Sequence, residues 1–126
     1  MTTRDLKPPP FEGTDVNHVA LRVADLRRSR DFYIAAFGAV VTNETPTACF
    51  LQIGGSDFIA LFPTDDPHIE HFCITVPDYD PDAAEAKLRT AGLEVIRRED
   101  RLFFRDPDGL LVQISGPPGG PGTSHF

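Results

Sequence analysis

The chain repeats its own pattern once, and that repetition constrains its fold more than any other feature. The run NHVALRV followed by ADLRRSRDFYIAAFG is echoed by EHFCITV followed by PDYDPDAAEAKLRTAG. His18 matches His71, Val23 matches Val76 and Asp25 matches Asp78, each 53 positions apart, while Gly38 and Gly92 stand 54 apart. The extra residue falls in the helical stretch. Each half reads as βαβββ. Residues 17–23 alternate, with Val19, Leu21 and Val23 on one strand face and His18, Ala20 and Arg22 on the other. Asp25 suits the N-cap of the helix that follows and Gly38 its end. Leu26, Tyr33, Ala36 and Phe37 fall on one helical stripe and are expected to be buried. Strands are predicted over 39–44, 47–53 and 57–63, with a turn at Gly54-Gly55. In the second half strands fit 69–76, 93–98, 101–105 and 110–115. A helix at about 81–91 is expected there to bury Ala84, Leu88 and Ala91. Asp106-Pro107-Asp108-Gly109 is a strong hairpin turn, because proline presets φ and glycine tolerates φ > 0.

The expected architecture is one α+β domain over 16–116, with modules at about 16–66 and 67–116. Tails are expected at 1–15, with Pro8 to Pro10, and at 117–126, rich in Gly and Pro; a partner subunit is one surface on which they would dock. A chain of 126 residues with 40% hydrophobic side chains suits a single core. No stretch reaches the roughly 20 apolar residues of a membrane span, and the start lacks the form of a secretory signal. A net charge of -7 argues against nonspecific nucleic-acid binding and against an anionic membrane surface. The two cysteines make no disulfide framework, so a reduced cytoplasmic setting is expected. Ten arginines against two lysines suggest a GC-rich bacterial genome.

The runs HVALRVADLRRSRDFYIAAFG, HFCITVPD and FFRDPDGLLVQI, in that order and spacing, resemble the vicinal oxygen chelate superfamily. That group holds glyoxalase I, extradiol ring-cleaving dioxygenases, fosfomycin-resistance enzymes, methylmalonyl-CoA epimerase and bleomycin-resistance proteins. The resemblance covers about residues 16–116. It implies two βαβββ modules curled into an open, cup-shaped mixed sheet around a divalent metal, and a homodimer. By the family's pattern the metal ligands match His18, His71 and Gln113. The fourth glyoxalase position matches Ala60, which cannot bind metal. Glutamate is common where Gln113 stands; glutamine offers a neutral carbonyl oxygen and leaves the ion's charge for an anionic substrate to balance. Fe(II) is the metal the resemblance favours, with Mn, Ni, Co or Zn as alternatives.

Alternation places further residues beside these. Arg22 shares the strand face of His18, and its guanidinium suits a carboxylate or phenolate oxygen. Cys73 and Thr75 share the face of His71, while Phe58 and Phe62 share the face of Ala60. Phe103 joins Gln113, where relatives often carry tyrosine. The candidates for substrate contact are therefore Arg22, Phe58, Phe62, Cys73 and Phe103, and those for catalysis Arg22, Cys73 and Phe103. Each has a plainer reading. A lone strand histidine is ordinarily structural, and only its repetition at an equivalent point favours ligation. Gln113 alternatively bonds a neighbouring backbone, Arg22 an acid or water, and Cys73 acts as a small core hydrophobe. Glu44 and Glu70 read as surface carboxylates, and His68 and His125 as solvated.

Three functions compete. The first is a metal-dependent enzyme acting on a small molecule with adjacent oxygens. Oxygenase chemistry is favoured over glyoxalase, isomerase or lyase chemistry, because neither Ala60 nor Gln113 can move a proton as a metal-site glutamate does. The second is a metal-free protein that binds a drug or metabolite. The third, thiol transfer as in fosfomycin resistance, ranks last.

Overall fold

The computed structural model describes residues 9–117. In chain order the elements are β1 (Val16–Val23), α1 (Leu26–Phe37), β2 (Val40–Thr45), β3 (Ala48–Gln52), β4 (Phe58–Pro63), β5 (His68–Thr75), α2 (Pro81–Thr90), β6 (Ile96–Arg98), β7 (Arg101–Arg105) and β8 (Leu111–Ser115). This is the α+β order expected, βαβββ twice. The chain separates into two compact units, Val16–Phe72 and a second in which residues 9–15 join Cys73 onward. Strand β5 starts in the first and finishes in the second.

The first unit holds a mixed sheet with neighbours β2-β3-β4-β1. β1 and β4 run parallel, while β2–β3 and β3–β4 are antiparallel. Asp25 caps α1 by accepting the Arg28 N–H at 3.0 Å. Gly38 ends the helix with φ of 69°, the left-handed conformation that costs glycine least. Under the helix, Cys49, Leu51 and Leu61 form a buried cluster, joined by Leu21, Val23, Leu26, Tyr33 and Ile59 at its margin. The expected helical stripe is only half present. Leu26 and Tyr33 are partly buried, but Ala36 is exposed and Phe37 is 66% exposed, its ring stacked on Tyr33. Phe37 is the last residue of the helix and lies outside the buried cluster.

The second unit packs α2 on the antiparallel strands β6, β7 and β8. Ala84 and Leu88 are buried as expected and Ala91 is half-buried; Val76, Tyr79, Leu102 and Ile114 complete the cluster. Burial pushes the Tyr79 phenol well above its ordinary pKa, and its hydroxyl donates to the Asp100 carbonyl. Residues 9–15 pack here. Phe11 lies against the cluster, and Thr14 and Asp15 exchange backbone hydrogen bonds with Thr75 at 3.0 and 2.9 Å. The 106–109 turn forms as expected. Asp106 Oδ1 accepts from Asp108 N and Leu110 N, both at 2.9 Å, and Gly109 takes φ of 85°. β6 is shorter than expected, three residues rather than six. Among the described residues no helix is long and apolar enough to cross a membrane.

Leu61 is fully buried in the first cluster. Leu61→Ala is expected to lower unfolding free energy by about 2–5 kcal/mol, read as a shifted midpoint in guanidinium titration.

Candidate functional site

Alternation along β1 turns Leu21 and Val23 under α1 and leaves His18, Ala20 and Arg22 on the opposite face. The parallel register sets this second row beside β4: His18 with Phe58, Ala20 with Ala60, Arg22 with Phe62. β3 adds Phe50 opposite Ala60. The side chains of that face touch in sequence. His18 stacks on Phe58 with ring centroids 4.4 Å apart, and Phe50 lies 6.2 Å from Phe58 and 6.3 Å from Phe62. The Arg22 guanidinium sits 4.9 Å over the Phe62 ring, a cation–π distance. Ala20 and Ala60 are fully buried among them.

His71 enters this face from β5. Its ring meets that of His18 at 5.5 Å between centroids, with the planes 80° apart. Both are buried, 3% and 5% exposed. The histidines matched by the repeat are therefore brought together inside the first unit. A shared ion would need one ring nitrogen of each at about 2.0–2.1 Å. Among the described residues no group of three His, Cys, Asp or Glu side chains is placed to hold a metal. The donor set thus fits a metal only if the remaining donors are neutral protein oxygens, water or substrate.

Arg22 makes the ion pair that was its plainer reading. Its Nε donates to Glu70 Oε2 at 2.5 Å, with side chains 35% and 22% exposed. The other carboxylate oxygen, Oε1, lies 3.9 Å from His71 Nδ1. His18 Nδ1 is 2.6 Å from Asn17 Oδ1.

In the second unit Gln113 on β8 stands directly opposite Phe103 on β7, and both are buried. The Arg98 guanidinium lies 6.0 Å over the Phe103 ring. Cys73 Sγ is 3.1 Å from Ser115 Oγ, each residue fully buried. Among the other expected residues, Glu44 is exposed and paired with Arg30. His68 is exposed with Nδ1 2.6 Å from the Asp66 carbonyl. His125 lies outside the described residues.

Three residues in contact with this face were not given a role in the site from sequence. Phe50 follows from alternation along β3 once β4 is placed. Asn17 and Glu70 each precede a repeated histidine, at equivalent positions 53 apart. That equivalence was legible. Glu70 is not the plain surface carboxylate expected, because Arg22 draws it across and leaves it half-buried.

A family model for the Glyoxalase/Bleomycin resistance protein/Dioxygenase superfamily matches residues 15–114. The chain is 23% identical over 110 residues to glutathione transferase FosA of Serratia marcescens, covering 79% of this chain and 78% of that protein. Among solved structures it is similar to methylmalonyl-CoA epimerase from Mycobacterium tuberculosis. The TM-score is 0.68 at 23% identity, over 83% of this chain and 89% of the epimerase. It is also similar to an extradiol ring-cleaving dioxygenase from B. fuscum, with a TM-score of 0.75 at 23% identity. That match covers 95% of this chain and 36% of the dioxygenase, so the chain spans about a third of its length. These likenesses show the glyoxalase/dioxygenase-like fold.

Burial pushes the Cys49 thiol up, with the Glu44 carboxylate adding to it, and Cys73 is fully buried. A disulfide reagent such as Ellman's is expected to titrate neither thiol in the native protein within minutes, and both after guanidinium unfolding. A fast native thiol would show that one of these residues is accessible and reactive.

Proposed function

The chain belongs to the Glyoxalase/Bleomycin resistance protein/Dioxygenase superfamily, and on that premise we propose that it is a small metal-dependent enzyme acting on a molecule with two adjacent oxygens, of the extradiol dioxygenase kind. The observation that carries this reading is the pair of buried imidazoles, edge to face at 5.5 Å, on equivalent strands of the repeat. His18 and His71 would hold the ion, with Gln113 as third donor by the family's pattern. Fe(II) is the first choice and Mn, Ni, Co or Zn the alternatives. Such an ion supplies Lewis acidity to both substrate oxygens and, as Fe(II), electrons for O2.

The remaining work falls to the chain's own side chains. Phe50, Phe58 and Phe62, with rings inclined to one another, offer an apolar wall that would contact the substrate and exclude water. Glu70 accepts from Arg22 Nε, and the terminal nitrogens of the fork suit an anionic oxygen of the substrate. Phe103 brings no hydroxyl, and Ala60 and Gln113 bring no carboxylate. This reading therefore asks no side chain at those positions to move a substrate proton, which is why oxygenase chemistry leads isomerase and lyase chemistry. The expected setting is cytoplasmic, as a homodimer.

A second reading, a metal-free binder of a drug or metabolite, is favoured by one observation: among the described residues no three His, Cys, Asp or Glu side chains are grouped to hold a metal. The two readings separate on protein purified anaerobically, supplied with Fe(II) and desalted. The enzyme reading expects near one iron per chain, falling at least tenfold in His18→Ala and His71→Ala, and O2 uptake with a catechol. Metal-free wild-type protein that instead retains a tight organic ligand supports the binder and overturns the enzyme.

A further inference from the structure

Each of the two histidines is preceded in sequence by a polar residue, and each of those residues faces Nδ1 of the ring that follows it. Asn17 Oδ1 lies 2.6 Å from His18 Nδ1. Glu70 Oε1 lies 3.9 Å from His71 Nδ1. An amide oxygen and a carboxylate oxygen accept protons and do not donate them. Both therefore favour a proton on Nδ1, and a neutral imidazole with its proton there carries its lone pair on Nε2.

We propose that Asn17 and Glu70 are positioning residues that set His18 and His71 in the same tautomer, presenting Nε2 of each to a metal, and that Arg22 tempers the effect by holding Glu70 back. The metal half of this inference rests on the enzyme reading above; the tautomer half stands without it. The two positions are not equal in strength. Asn17 Oδ1 is a neutral acceptor at full hydrogen-bond distance from His18 Nδ1. Glu70 brings a charge, but its other oxygen is held by Arg22 Nε at 2.5 Å, and 3.9 Å is beyond hydrogen-bond reach of His71. While Arg22 holds it, the carboxylate biases His71 through its field alone. Released, it would close on Nδ1 and raise the basicity of Nε2, as outer carboxylates do for metal-bound histidines.

The test uses the full chain, 15N-labelled and metal-free, and then Co(II) alone as probe. Long-range 1H–15N spectra of the wild type are expected to show Nδ1–H on both rings. Glu70→Gln is expected to mix the tautomers of His71 and to weaken Co(II) binding, measured by calorimetry, by about 10–100-fold. Arg22→Gln is expected to strengthen Co(II) binding severalfold, because Glu70 is freed, and Arg22→Gln/Glu70→Gln to match Glu70→Gln alone. Merely structural roles would weaken binding in both single variants together. An Nε2–H form of either wild-type histidine, or equal directions of change in the two single variants, overturns the proposal. Wild-type protein that binds no Co(II) removes the metal half and the enzyme reading with it, while the spectra still decide the tautomers.

Discussion

Every feature of the first module depends on the two-residue period of a β-strand. Alternation along β1, β3 and β4 divides their side chains into two sets. Leu21, Cys49, Leu51, Ile59 and Leu61 go to the α1 side, while His18, Ala20, Arg22, Phe50, Phe58, Ala60 and Phe62 go to the other. The parallel β1–β4 pairing locks the second set in register. A slip of one residue would place His18 and Arg22 in the helix-side core and carry Leu21 out of it. Burial of the aliphatic set under α1 therefore also positions the histidine face. The fold and the site are specified by the same apolar pattern, read from opposite sides of one sheet.

The chemistry on that face is unusually sparing in charge. One carboxylate, Glu70, stands between a guanidinium and an imidazole, and the neutral Asn17 amide, the Phe58 ring and two buried alanines share the face. The exposure of the Arg22–Glu70 pair limits what it adds to stability, since water screens an ion pair of this kind to about 0–1 kcal/mol. Its larger consequence is geometric. Glu70 holds Nε, and the Phe62 face holds the plane of the guanidinium, so an otherwise flexible side chain is restricted to one orientation.

Much of this was legible in the sequence. Both helix starts, the Gly38 terminus, the 106–109 hairpin and the eight strands all follow from local chemistry acting within a few residues. The repeat then supplied what local chemistry does not, a reason to pair His18 with His71 across 53 positions. What was not legible has two physical sources. A helical wheel states the side on which Phe37 lies, but not where the sheet beneath it ends. Strand parity sends Glu70 away from His71, but not where a long acidic side chain goes when a cation pulls on it. Both misreadings concern side chains whose placement is decided by a partner distant in sequence.

The proposed ligand set gives the position of Glu70 a further consequence. A facial set of two histidines and a carboxylate gives a divalent ion one protein charge in its first shell. On the proposed ligand set Gln113 would bring no such charge, and Glu70 would act through the His71 ring instead of through a direct bond. A carboxylate acting at that remove makes the ligand more basic without occupying a coordination position. On that reading Arg22 would link the two demands, competing for the same carboxylate while its guanidinium met an anionic substrate. A substrate that drew Arg22 away would strengthen the histidine ligand as it arrived, so substrate binding and metal binding would be coupled through one side chain.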